Sequence, residues 1–215
     1  MKKTFFILIS ILFAATLATA NPPATYGQEL TIGELWSLPM EVWDLAVSKD
    51  GNYIAVVNGS FLCYFEVDNL NPLWWFEQAS ESDLISVAIS ADGKYVVAGT
   101  DDGYIAYFAD AQTLTGNVAD ATWWSIDLGG PVEPGTLDIS DNGEYVVVGG
   151  TGANLYYFAD CTSRTGINQD CTWCYYLEID DYSVDVYAVD MSSDGKYVVV
   201  GGWTDSMLEG FSSIL

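Results

Sequence analysis

Polar turn signals and short apolar runs follow one another along this chain, each run of strand length. The stretch "SADGKYVVAGTDDGYIAYFAD", Ser90 to Asp110, holds two such runs and two turns, and "SDNGEYVVVGGTGANLYYFAD" repeats it from Ser140. A Ser-x-(Asp/Asn)-Gly phrase occurs four times, at Ser48–Gly51, Ser90–Gly93, Ser140–Gly143 and Ser192–Gly195, its glycines 42, 50 and 52 residues apart. Each phrase leads into a tyrosine (Tyr53, Tyr95, Tyr145, Tyr197) and a β-branched run. Asp-Gly or Asn-Gly between apolar runs is a hairpin signal, because the tight turn needs positive φ. Each phrase therefore predicts a turn between two antiparallel strands.

A third strand follows in "FLCYFEV", "YIAYFAD" and "NLYYFAD", and a fourth carries tryptophan: "LWWFE" at Trp75, "TWWSID" at Trp124, "TWCYYLE" at Trp173. Four strands at a period of roughly 40 to 50 residues define a propeller blade. The second strands are apolar on both faces, as in a sheet sandwiched between neighbours. The expected fold is all-β: a β-propeller over residues 31–215, of four blades with four antiparallel strands each. In this arithmetic Leu35–Leu38, which matches the fourth strand at Trp123–Ile126, completes a last blade whose third strand is Leu208–Phe211. A ring so closed is expected to be monomeric. The competing expectation is an incomplete part of a larger propeller.

The phrases "VVAGTDDGYIAYFADAQTLTG…TWWSIDLGGPV" and "VVVGGTGANLYYFADCTSRTG…TWCYYLE" resemble the repeats of WD-repeat-like and pyrroloquinoline-quinone-like propellers. The resemblance spans Leu35 to Phe211 and implies a tryptophan that docks between blades. It also has gaps. With no histidine in the chain, the glycine-histidine half of the WD signature is absent, and no two cysteines are adjacent, as the quinone enzymes would require. A propeller scaffold is implied; a quinone site is not.

The chain has 215 residues. Lys2-Lys3, an apolar run from Phe5 to about Leu17 and Ala18-Thr19-Ala20 read as a signal peptide over residues 1–20, followed by a linker at 21–30. The expected location is secreted or extracytoplasmic, at the cell surface or envelope, with no integral membrane span after cleavage. Beyond the signal, Lys49, Lys94, Arg164 and Lys196 face all 30 acidic residues. Such a surface repels phosphates, which excludes nucleic acid and leaves cations and basic partners.

Lack of histidine removes histidine-activated nucleophiles and histidine-bound zinc. Cys161 and Cys171 replace Ala111 and Ala121 of the preceding repeat together, which predicts a disulfide between them, with Cys63 and Cys174 as buried free thiols. Asp110 and Asp120 bracket one long loop, Asp160 and Asp170 the next; these are Ca²⁺ candidates, weighed against aspartates that merely hold turns. No other cofactor is expected. Asp44, Asp83, Asp138 and Asp185, at the first strands, are scattered in register. The expected function is an exported, non-catalytic binding or scaffolding module for a protein, glycan or cell-envelope component. The alternative is a carboxylate- or Ca²⁺-dependent hydrolase or lyase.

Overall fold

A computed structural model describes residues 40–78, 81–150, 153–179, 182–204 and 211–214. The chain divides into the units Met1–Glu41 and Val42–Leu215, and the second is described here. The expected signal peptide, the linker and the closing strand Leu35–Leu38 lie outside the described residues. No helix among the described residues is long and apolar enough to cross a membrane.

Among the described residues the second unit forms four sheets, each led by a meander of antiparallel strands. The first contains β1 (Asp44–Val47), β2 (Tyr53–Val57), β3 (Phe61–Glu66) and β4 (Trp74–Glu77). The second contains β5 (Leu84–Ile89), β6 (Val96–Thr100) and β7 (Ile105–Phe108). After β7 the chain lays β8 (Gly116–Val118) beside β4 before returning as β9 (Trp123–Ser125), the fourth strand of the second sheet. The third sheet runs β10 (Leu137–Ile139), β11 (Val146–Gly149) and β12 (Asn154–Phe158), lends β13 (Gly166–Gln169) to β9, and ends in β14 (Trp173–Tyr176). In the fourth, β15 (Glu178–Ile179), β16 (Tyr182–Met191), β17 (Val198–Thr204) and β18 (Phe211–Ile214) follow. Of the predicted last strand, 208–210 lie outside the described residues.

The repeated phrase is a self-contained turn. Ser48 Oγ donates to Asp50 Oδ1 at 2.6 Å and accepts from Tyr53 N at 3.0 Å, while Asp50 Oδ1 also accepts from Asn52 N. The same bonds recur at Ser90, Ser140 and Ser192. Gly51, Gly93, Gly143 and Gly195 take φ of 73–77°, the left-handed region that glycine enters without penalty.

The core lies between sheets. Three apolar clusters occupy three successive boundaries: Leu62, Trp74 and Phe76 against Val87 and Phe108; Ile105 and Trp123 against Leu137 and Phe158; Val147 and Leu155 against Val186 and Val200. Neither face of a blade can be satisfied alone, which is why the phrase is repeated. The fold is a β-propeller.

Candidate binding surface

Each boundary is keyed in the same way. Tyr64 Oη donates to Gly93 O at 2.7 Å, Tyr107 Oη to Gly143 O at 2.8 Å and Tyr157 Oη to Gly195 O at 2.9 Å. Trp74 Nε1 donates to Ala111 O and Trp123 Nε1 to Cys161 O, so both tryptophans dock on the next blade's loop, as the resemblance implied. At one end of the inner strands the turns are linked too: Asp50 N to Ala91 O, Ala91 N to Asp141 O, Asp141 N to Ser193 O. Lys49 Nζ reaches Asp141 Oδ2 at 2.8 Å and Ser193 Oγ at 3.4 Å.

The carboxylates of the first strands also serve these boundaries. Asp44 accepts from Val87 N, and Asp138 from Met191 N at 2.7 Å, each bridging one blade to the next. Burial pushes Asp44 upward against the pull of its backbone donors, and pushes Asp138 up to about 6, helped by the nearby charge of Asp190. Asp83 donates its backbone N–H to Asp101 Oδ1 at 2.9 Å, within the second sheet's own loops. Asp185 lies on β16, opposite Trp203.

The structure does not gather Asp110, Asp120, Asp160 and Asp170 into a metal site. No group of three or more acidic or cysteine side chains close enough to hold an ion occurs among the described residues. Asp110 and Asp160 sit at φ 54° and 56°, starting 3-10 turns, and Asp110 lies 3.3 Å from Lys94 Nζ. Asp120 Oδ1 accepts from Trp124 Nε1 at 2.8 Å and fixes that indole. Asp170 offers its carbonyl to Arg164. The loops these aspartates bracket each hold a 3-10 turn and a strand, β8 or β13, that pairs in parallel with the preceding sheet.

The cysteine expectation requires correction. Cys171 is bonded to Cys174, three residues on, with Cα atoms 6.3 Å apart, and Cys161 is free and fully buried. Cys161 starts a 3-10 turn that points its side chain into the core, where its thiol donates to Phe158 O. Cys171 and Cys174 flank Trp173 at the start of the outer strand β14. Cys63 is free, as expected, and half-buried. Burial pushes the Cys63 thiol up to about 11 and Cys161 up to about 12, which keeps both protonated.

Two shallow clefts meet at Asp102, in the turn between β6 and β7. One, of about 340 Å³, is lined by Gln78, Asp102, Tyr104, Trp124, Ile167 and Asn168; the other, of about 310 Å³, by Glu81, Ser82, Asp101 and Asp102. Three blades contribute, because β13 brings Ile167 and Asn168 alongside β9. Trp124 is held by Asp120 and by Phe76, whose ring centroid lies 5.9 Å away. The sequence signal for this site was the doubled tryptophan: Trp123 faces the core, so its neighbour Trp124 must face the other way.

The model of the WD domain, G-beta repeat, matches residues 72–108, which run from just before β4 to the end of β7. Among solved structures, the WD40 repeats of RRP9 are similar, with 16% identity, a TM-score of 0.61, and coverage of 84% of this chain and 52% of that one. Hydrazine synthase of Kuenenia stuttgartiensis is similar at 14% identity and a TM-score of 0.59, covering 81% of this chain and 45% of that one. No curated protein sequence matches the chain. The chain thus spans about half the length of the solved structures it matches, and shares their propeller fold.

Proposed function

We propose that the chain is an exported, non-catalytic binding module whose partner is a protein that presents basic side chains to the cleft around Asp102. The observation that carries this reading is the juxtaposition of Glu81, Asp101 and Asp102 with the aromatic faces of Tyr104 and Trp124. Carboxylates attract a lysine or arginine head, and an adjoining aromatic face adds cation–π attraction of about 0.5–2 kcal/mol. The WD-repeat-like fold suits a binding platform, and the excess of acid over base favours a basic partner through long-range attraction. The carboxylates that burial raises, Asp44 and Asp138, are already engaged by backbone donors, so the reading asks no chemistry of them.

Calorimetric titration of the full chain with a lysine-rich peptide tests this. Binding should weaken with salt and fall about tenfold or more in Asp102→Asn and in Trp124→Leu, with thermal melting kept. A chelator should change neither binding nor melting. Equal binding by both variants, or binding of neutral oligosaccharides instead of the peptide, would sink the reading. Export is checked by intact mass: the recovered chain should begin at Asn21.

A further inference from the structure

The three boundaries between blades share one register. On each first strand two apolar positions face the preceding blade: Val87 and Ile89 in the second sheet, Leu137 and Ile139 in the third, Val189 and Met191 in the fourth, all packed against the clusters. Paired positions identify their counterparts in the first sheet. Val87 pairs with Ala98 and Ile89 with Val96; likewise Leu45 pairs with Val56 and Val47 with Ile54. Yet Leu45 and Val47 are 42% and 46% exposed.

The facing half of the contact is equally regular. Tyr53 covers Gly93, Tyr95 covers Gly143 and Tyr145 covers Gly195, so closely that a Cβ on any of these glycines would come within 2.4 Å of the ring. The fourth tyrosine, Tyr197, is 64% exposed, and Val199 and Trp203 on the strand β17 that follows it are exposed as well. The fourth glycine, Gly51, has nothing within 4 Å of a Cβ. Among the described residues, one chain therefore carries both halves of a further boundary, Tyr197 with Val199 and Gly51 with Leu45 and Val47, and leaves both uncovered; their turns are joined by Lys49 Nζ reaching Ser193 Oγ at 3.4 Å. Ile54 and Val56, on the same face of the first sheet, are buried, so the bare strip is the first strand and its turn. That is the strip the tyrosine–glycine key uses.

We propose that a second copy of this chain fills the strip, with Tyr197 of each copy covering Gly51 of the other. Two such contacts related by a twofold axis satisfy both bare ends at once and leave none over. The occupant is argued from the chain itself: the missing partner of Gly51 has the chemistry of Tyr53, Tyr95 and Tyr145, and Tyr197 supplies it.

Light scattering on the full chain should give twice the mass of one chain. Tyr197→Ala and Gly51→Ala should each raise the dimer dissociation constant about tenfold or more, with circular dichroism retained. Gly129→Ala, at φ +83° with nothing within 4 Å, carries the same backbone strain and should stay dimeric. Mixing the Tyr197→Ala and Gly51→Ala chains restores one native contact per pair and should recover dimer. A single-chain mass at every concentration, a dimer indifferent to both variants, or two monomeric variants that fail to complement each other would overturn the proposal.

Discussion

Gly143 lies beneath Tyr95 and accepts a hydrogen bond from Tyr107 at 2.8 Å, so two side chains of one blade close on a single residue of the next. A Cβ there would sit 2.1 Å from Tyr95 Cδ2, on a backbone at φ +75°. Gly143→Ala should therefore cost about 1–2 kcal/mol in backbone strain and a further 1–3 kcal/mol in displaced aromatic packing. Gly116→Ala, at φ +65° with nothing within 4 Å, should cost only the first part. Urea denaturation of both variants checks the difference.

What the sequence made legible follows from how local each cause is. The turn at Ser90 is fixed by bonds among Ser90, Asp92, Lys94 and Tyr95, all within five residues, so the phrase announces itself. The strand β8 is held by a parallel pairing with Trp74–Phe76, some forty residues earlier, and Gly116-Asn117-Val118 has no apolar rhythm of its own. It therefore read as a loop, and its flanking aspartates read as ligands. Replacement of Ala111 and Ala121 by Cys161 and Cys171 marked a special pair of positions without saying where each side chain points. The core-facing 3-10 turn at Cys161 decides that, and leaves Cys174 as the partner of Cys171.

Trp123 is fully buried and donates Nε1 to Cys161 O at 3.0 Å, whereas its counterpart Trp173 is 37% exposed. Trp123→Phe removes one of two donors to the Cys161 carbonyl, which keeps Arg164 N at 3.4 Å, and should cost about 0.5–1.5 kcal/mol from that bond alone. Trp173→Phe should cost less than about 1 kcal/mol. Melting of the two variants side by side reads the contrast, and equal losses would mean that the carbonyl contact carries little.

Cysteine chemistry should follow the observed pairing. Peptide mapping of oxidised chain should recover Cys171 joined to Cys174, with Cys63 and Cys161 alkylated only after unfolding, because burial holds both thiols protonated. The closed loop is short, so reduction should lower stability by about 2 kcal/mol or less. Recovery of Cys161 linked to Cys171 would contradict the inward turn at Cys161.

Asp138 gives the fold a pH dependence whose sign is fixed by its burial. Its carboxyl is raised to about 6 in the folded chain from an ordinary value near 3.8, so between these values the folded state holds the extra proton. Stability attributable to this group is therefore greatest below about pH 4, falls as pH rises toward 6, and is level above that. The groups around it pull in opposite directions: Asp190 opposes the charge, while the Ile139 and Met191 amides favour it without overcoming burial. Self-repulsion among the other carboxylates slopes the same way, so the informative quantity is a difference between two proteins. Asp138→Asn keeps an acceptor oxygen for one of the two amides, which bond to different carboxylate oxygens, and removes the titration. Chemical denaturation from pH 4 to pH 7 should show the parent losing more stability than the variant, with the gap opening below pH 6 and constant above it. Parallel pH profiles for the two would mean that Asp138 ionises as freely in the folded chain as in the unfolded one, with burial fully offset by its amide donors.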